Sequence, residues 1–287
     1  FLKANISVIV GQLYPRTDKR RDPAYTIFYM GINLGAFLGS LLCGYIGETY
    51  GWSYGFGLAG FGMLLGLIVF VLGKPLLLGR GEPPAPLARQ TEWLLYLVGV
   101  LAVGLCWWMV QNQDVVGTLL GVFGAILVLY VLGTAVVKLA PEDRDRIFAA
   151  MFLIFVSIVF WALFEQAGNS LNLFTDRHVD RRIFGWEAPA STFQSLNAAY
   201  IFLLAPFFAW LWTALGKRNA EPSAPFKFGL GVIQVGLGFL VLVWGAQAAG
   251  MNAAVPVALI FLIYLLHTTG ELCLSPVGLS AMNRLAP

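Results

Sequence analysis

The sequence predicts an all-α membrane protein that crosses the bilayer many times. Of its 287 residues, 59% are hydrophobic and 11% are charged, and the mean hydropathy is +0.77. Soluble domains usually carry about 25% charged residues, which argues against a soluble fold. Long apolar runs separated by polar loops favour a polytopic helical bundle, because a helix needs about 20 apolar residues to cross the hydrocarbon core.

Eight apolar runs are long enough to span a membrane, and residues 1–10 read as the second half of another span. We therefore expect this sequence to be a fragment of a longer polypeptide. Turn residues and charges dominate the loops between the runs, as in YPRTDKRRDP at residues 14–23 and KLAPEDRDR at residues 138–146. The predicted spans are residues 25–45, 52–72, 93–110, 115–137, 147–166, 193–215, 228–248 and 255–279.

The basic residues predict the orientation of these spans. If successive loops alternate sides, 14 of the 18 Lys and Arg residues fall on the side of the first loop, which is therefore cytoplasmic. Three fall on the other side, and Lys3 remains within the membrane. The cytoplasmic residues are Arg16, Lys19, Arg20, Arg21, Lys74, Arg80, Arg89, Lys138, Arg144, Arg146, Lys217, Arg218, Lys227 and Arg284, and the three opposite them are Arg177, Arg181 and Arg182.

The sequence lacks the motifs of soluble enzymes and of metal or nucleic-acid sites. It contains no Walker A pattern, no nucleophile elbow and no cluster of His and Cys, so we predict neither an enzyme nor a bound metal or cofactor. Its net charge of +3 gives no reason to expect nucleic acid. Gly31, Gly35 and Gly39 recur every four residues, a spacing that allows close helix packing in a membrane.

Three ionisable residues lie at membrane depth: Lys3, Glu165 and Glu271. Each costs about 2.5–3.5 kcal/mol to insert and normally faces a cavity or a partner. Two carboxylates and one lysine cannot all be neutralised by pairing. A glutamate that alternately pairs with the lysine and releases it would take up and release a proton, which is what coupling to a proton gradient requires.

Helical spacing places each of these carboxylates among other polar groups. We predict one stripe of Trp161, Glu165, Asn169 and Asn172, and another of His267, Glu271 and Ser275. A third contains Tyr25, Tyr29, Asn33 and Ser40, and Asn197 lies early in a fourth helix. Plainer readings stay open: an Asn as an interhelical hydrogen bond, Trp161 as packing, and His267 as a satisfied core histidine.

Four segments resemble signature motifs of the proton-dependent oligopeptide transporters of the major facilitator superfamily, in the order of that family. They are FYMGINLGAF at 28–37, FWALFEQAGNSLNLF at 160–174, FQSLNAAYIFLLAP at 193–206 and GELCLSPVGLSAMNRLAP at 270–287. The resemblance implies a partial fold of that superfamily, running from the fourth helix to the tenth. Residues 1–73 would end the N-terminal bundle, 74–144 would hold linkers and an inserted helical hairpin, and 145–287 would belong to the C-terminal bundle.

The resemblance also assigns roles to residues. Lys3 and Glu271 would form a gating ion pair and bind the carboxylate and the amino group of a peptide. Glu165 would pair with an arginine of a first helix that this sequence does not contain. The predicted substrate-binding set is Asn33, Asn197, Trp161, Tyr29, Lys3, Glu271 and Ser275, and the predicted proton-coupling set is Lys3, Glu271 and Glu165.

The function that this resemblance implies is proton-coupled symport of di- and tripeptides by alternating access. The protein would lie in the bacterial cytoplasmic membrane, with short peptides and membrane lipid as partners and the proton as coupling ion. Transport of nitrate or another small solute and a receptor that does not transport are the alternatives. Glu271 argues against an anion carrier, which has little use for a carboxylate that binds ammonium groups.

Overall fold

The computed structural model describes residues 2–13, 21–81, 87–250 and 253–285, with side chains left undescribed at 2–5, 7, 21–26, 29 and 276–285. Most of these residues are helical. Eight of the described helices are long and apolar enough to cross a membrane, which confirms the eight predicted spans. The helices are α1 Leu2–Gln12, α2 Arg21–Tyr50, α3 Trp52–Gly73, α4 Arg89–Gln111, α5 Gln113–Lys138, α6 Pro141–Phe164, α7 Ser170–His178, α8 Ser195–Lys217, α9 Ala224–Ala249 and α10 Val257–Leu285.

Short 3-10 helices and strands connect these elements. The 3-10 helices are Lys74–Leu77, Glu165–Gly168 and Ala190–Gln194. Strand β1 (Val179–Asp180) pairs in parallel with β4 (Val255–Pro256), and β2 (Arg182–Ile183) pairs antiparallel with β3 (Trp186–Glu187). The β1–β4 pair joins the loop after α7 to the loop before α10, and β2 and β3 form a hairpin within the first of these loops.

The chain divides into two compact units. One contains Phe1–Leu78 and Ala150–Ala286, and the other contains Gly79–Ala149. In the first unit, α2 packs against α3, α8 and the 3-10 helix before α8, while α10 packs against α8 and most extensively against α9.

Glycines set the close packing of α9 on α10. A Cβ atom added to Gly231 would lie 2.9 Å from the carbonyl oxygen of Gly270, and one added to Gly270 would lie 2.8 Å from that of Gly231. Seven residues along α9, a Cβ on Gly238 would lie 2.8 Å from the ring of His267, and after another seven Gly245 lies against Leu259. Three glycines at a spacing of seven therefore face α10, a repeat that keeps one seam of a helix against its neighbour.

The close packing that the glycine spacing of α2 allows is not seen in the part of the chain that the structure describes, and it stays a prediction. A Cβ added to Gly31, Gly35 or Gly39 would have no atom within 4 Å, because none of the described helices lies against that face. Close approach occurs further along instead, where a Cβ on Gly55 would lie 2.7 Å from the carbonyl oxygen of Cys43.

The second unit is built on a hairpin of α4 and α5. Asn112 joins the two helices, and its side-chain amide donates to the carbonyl of Trp108 at 2.8 Å. Ala135 is the one buried residue in α4 and α5, so these two helices expose apolar side chains on every side. That pattern is typical of helices surrounded by lipid.

Candidate substrate site

A polar cluster joins α8 to α10 inside the membrane-spanning part of the first unit. The side-chain amide of Asn197 donates to Oε2 of Glu271 at 2.9 Å and to the hydroxyl oxygen of Thr268 at 3.1 Å. Thr268 is fully buried, and its hydroxyl donates to the carbonyl oxygen of Tyr264 at 2.7 Å. Two residues predicted separately, Asn197 and Glu271, are thus in direct contact.

Thr268 holds this cluster and was not predicted. It lies three residues before Glu271, so it shares a face of α10 with that residue. A hydroxyl in the apolar run before Glu271 was the available signal, but such a group usually bonds to the carbonyl four residues earlier on its own helix. Here it does so and also accepts from Asn197, which fixes the amide in front of the carboxylate.

Glu271 is half-buried, and the hydrogen bond from Asn197 reaches one of its two carboxylate oxygens. Among the described residues no cation lies within salt-bridge distance of this carboxylate. The Asn197 amide is neutral, so none of the described residues compensates the charge of this carboxylate. The arrangement can therefore accept an ammonium group, a lysine or a proton.

Aromatic rings from α6 adjoin α10. Trp161 packs edge-on against Phe164 with ring centroids 5.2 Å apart, and Phe164 lies 6.0 Å from the ring of His267. Trp161 is half-buried. It therefore lies in an aromatic cluster, as the packing interpretation expects, and remains accessible for contact with a ligand.

His267 is buried but is not the satisfied core histidine that one interpretation expects. Its exposure is 1%, and neither ring nitrogen has a hydrogen-bond partner among the described residues. The carbonyl of Val235 lies near the ring without the geometry of a hydrogen bond. Phe239 packs against it at a centroid distance of 5.1 Å, so the imidazole is a packing group held between helices.

Glu165 begins a 3-10 helix, and this corrects the prediction of one continuous helical stripe. Helix α6 ends at Phe164, and Asn169 has φ −124° and ψ −99°, which is not helical. The regular spacing from Trp161 to Asn172 is therefore broken. Glu165 is exposed, forms no ion pair with another described residue, and is close enough to Glu271 to interact with it electrostatically.

The remaining predicted residues fall into two groups. Asn33 is buried on α2, with 7% exposure, and Ser275 is half-buried one turn after Glu271. The side chains of Lys3 and Tyr29 lie outside the described residues, so the predicted pair of Lys3 with Glu271 stays a prediction.

The chain is similar to known membrane transporters over its whole length. A sequence profile described as PTR2, the POT family, matches residues 1–287. Identity is 39% to the uncharacterized transporter YclF of Bacillus subtilis and 37% to the peptide transporter YePEPT of Yersinia enterocolitica. These alignments cover 100% and 99% of this chain, but 59% and 60% of the two relatives. The chain thus spans less than two thirds of their length.

Solved structures agree with the fold. A crystal structure of a peptide transporter POT, bearing a glutamate-to-glutamine mutation and bound to alafosfalin, superposes with a TM-score of 0.82 at 40% identity. The match covers 100% of this chain and 59% of that one. A POT family transporter in complex with 5-aminolevulinic acid gives a TM-score of 0.77 at 30% identity, covering 99% and 61%.

Proposed function

This chain belongs to the POT family, and from that premise we propose that the full-length protein is a proton-coupled symporter of di- and tripeptides. The family is one of transporters rather than enzymes, and the chain is a multi-pass protein of the bacterial cytoplasmic membrane. Relatives described as a peptide transporter and as dipeptide and tripeptide permeases support the choice of substrate.

The observation that carries the proposal is the contact between Asn197 and Glu271. A half-buried carboxylate, oriented by an amide and facing no described cation, suits the amino group of a peptide. The amide is fixed in turn by Thr268, so the site is ordered before a ligand arrives. Recognition of the amino group common to all peptides would allow varied side chains, which the Trp161 and Phe164 rings would contact.

Proton coupling needs a group that exchanges a proton for a cation during the cycle. Glu271 fits this requirement, because its carboxylate would be neutralised in turn by a proton, by the peptide amino group or by Lys3. We also propose that Glu165 pairs with an arginine on a helix outside this sequence. No further cofactor is needed, since the proton gradient supplies the free energy.

Alternating access requires two bodies that rock around the site. We propose that residues 1–73 and 145–287 contribute to these two bodies and that residues 74–144 link them. Membrane lipid would contact the apolar surfaces of α4 and α5, which are exposed in the structure.

The test replaces Glu271 with Gln in the full-length protein in proteoliposomes. We expect accumulation of a labelled dipeptide driven by a proton gradient to be lost. Exchange of labelled for unlabelled dipeptide without a gradient should be retained but need a higher dipeptide concentration, because the Gln oxygen still accepts a hydrogen bond from the amino group but carries no charge. Glu92→Gln, at an exposed position on α4, is the matched control and should behave as wild type.

Accumulation by Glu271→Gln at the wild-type level would show that the coupling role is wrong. Competition with unlabelled dipeptide and with nitrate should give inhibition by the dipeptide alone. Inhibition by nitrate alone would identify an anion carrier, and binding of dipeptide without flux would identify a receptor.

A further inference from the structure

The last turns of α2 contact the segment that leads into α8. One carboxylate oxygen of Glu48 accepts the backbone N–H of Ser191 at 2.7 Å, and the other accepts that of Ala190 at 3.0 Å. These two N–H groups open the 3-10 helix Ala190–Gln194, where a helix has no internal partners for them. The carboxylate of one helix thus caps the start of another, 142 residues later in the chain.

Two further contacts lie beside this cap. A Cβ atom added to Gly44, one turn before Glu48, would lie 2.7 Å from Oγ of Ser191 and 3.3 Å from its Cβ, so the close approach needs a glycine. The rings of Tyr45 and Trp186 lie 6.1 Å apart and are tilted by 46°. We call this set the Glu48 latch; its residues are Gly44, Tyr45, Glu48, Trp186, Ala190 and Ser191.

The latch is close in sequence to the candidate substrate site. Ser195 begins α8 directly after the capped 3-10 helix, and its hydroxyl donates to the carbonyl of Thr192 at 2.7 Å, which stiffens the junction. Asn197, which binds Glu271, follows within the first turn of α8. A displacement of the segment at Ser191 would therefore be passed to Asn197 through a single continuous helix.

A polar cavity of about 690 Å³ lies beside the latch. Glu48, Asn169, Asn172 and Asp176 are among its lining residues. The Glu48 carboxylate and the two N–H groups can therefore be hydrated when they separate. A contact that exchanges its hydrogen bonds for water is reversible, because most of its energy is recovered in either state.

We propose that Glu48 is a gating residue that holds the non-cytoplasmic side of the transporter closed. This inference rests on the proposed alternating-access function, in which 1–73 and 145–287 belong to different bodies. The loops that carry the latch lie opposite the basic loops, so the positive-inside rule places it on the outer side. Opening to the outside would break the two bonds to Glu48 and withdraw Gly44 from Ser191.

A reversible cross-link tests whether the latch must open. The variant Gly44→Cys/Ser191→Cys, with Cys43→Ala to remove the adjacent thiol, brings two cysteines within reach, since the 3.3 Å Cβ separation is close to the separation of about 3.5–4.5 Å in disulfides. We expect oxidation to block dipeptide uptake in proteoliposomes and reduction to restore it in the same sample. Unchanged uptake after complete cross-linking would overturn the proposal, and so would a failure of the two cysteines to cross-link.

A distance measurement tests the latch without relying on a substrate. Spin labels at Tyr50 and Phe184, both exposed, report the separation of the α2 end from the β2–β3 hairpin in the full-length protein. In the spin-labelled protein, Glu48→Gln keeps one oxygen that can accept a hydrogen bond. It places the new NH₂ group against one of the two backbone N–H donors, those of Ala190 and Ser191. We expect it to increase the ratio of separated to closed populations about tenfold, the effect of losing one charge-assisted hydrogen bond.

The matched control for the distance measurement is Glu92→Gln, which removes a carboxylate from an exposed position on α4. Equal distance distributions for Glu48→Gln and Glu92→Gln would overturn the latch. Absence of dipeptide uptake by the wild-type protein would instead overturn the proposed function, and the distance measurement would still decide the role of Glu48.

Discussion

The close contact between α9 and α10 leads to a prediction about thermal stability. Replacing a glycine of α9 with Ala should lower or raise the melting temperature, depending on which glycine is changed. Gly231→Ala places a methyl group 2.9 Å from the carbonyl oxygen of Gly270 and 3.3 Å from Cβ of Leu274. The first of these atoms belongs to the backbone, so the contact can be relieved only by moving a helix. Gly236→Ala, on the same helix, meets no atom within 4 Å.

The difference in melting temperature between these two variants measures the free-energy cost of overpacking the contact between α9 and α10. Both gain the same helix propensity, about 0.5–1 kcal/mol in favour of Ala. Only Gly231→Ala overpacks the interface, which costs about 1–3 kcal/mol. In a domain of about 150–250 residues each kcal/mol shifts the melting temperature by about 2–4 °C, and the shift is smaller in a longer protein, so Gly231→Ala should melt below Gly236→Ala by up to about 12 °C.

The assay is thermal unfolding of the purified full-length protein in detergent, followed by far-ultraviolet circular dichroism, which reports helix content. Gly236→Ala should melt at or above the wild-type temperature. Dipeptide uptake should also fall for Gly231→Ala, because a shift of α10 at Gly270 moves the adjacent Glu271 away from Asn197. Equal melting temperatures for the two variants would refute the inference that backbone contact at this crossing fixes the helix pair.

Two further predictions concern ion pairs of the described residues. Lys227 is 4% exposed and its ammonium lies 2.5 Å from Oε1 of Glu221, so Lys227→Met should lower the melting temperature by several degrees, whereas Met at the exposed Lys217 should change it by about 1 °C or less. Lys227→Met melting no lower than Lys217→Met would contradict this. Where β1 ends and β2 begins, the Arg182 guanidinium donates hydrogen bonds to the Asp180 carboxylate and holds the pKa of that carboxyl below its usual value. The pair therefore stabilises the fold above the unfolded pKa of Asp180 and loses this effect as the pH falls through the lower folded pKa. Asp180→Asn should reduce thermal stability more at pH 7 than at pH 2, and a deficit of equal size at both pH values would rule out this linkage.

Hydropathy and charge were enough to predict the spans and the fold class, because the bilayer imposes a length and a polarity on every helix. The polar residues at depth also predicted the two members of the site that touch, Asn197 and Glu271. A buried carboxylate needs a polar partner wherever it lies, so the sequence around Glu271 is enough to predict that such a contact exists. The identity of its partner depends on the packing of α8 against α10 and had to come from the structure.

The errors share a physical origin. The regular spacing after Trp161 looked helical, but the sequence EQAGN at residues 165–169 holds a glycine and polar groups that compete with helical hydrogen bonds, and α6 ends before it. The glycine spacing on α2 identified a face that could be packed, without indicating whether a described helix lies against it. Thr268 could not be predicted as a site residue, because the hydroxyl of a threonine in an apolar helix normally donates a hydrogen bond to a backbone carbonyl of the same helix.

The seam of glycines at 231, 238 and 245 has a mechanical consequence. Each of these glycines lies against a group of α10: Gly231 against the Gly270 carbonyl, Gly238 against the His267 ring and Gly245 against Leu259. A translation or rotation of either helix would therefore bring these groups into a steric clash. The two helices therefore move as one rigid body, and Glu271 is displaced only when both helices move. An environment-sensitive probe at Trp244, on the exposed side of α9, would then register displacement of the carboxylate without touching the site.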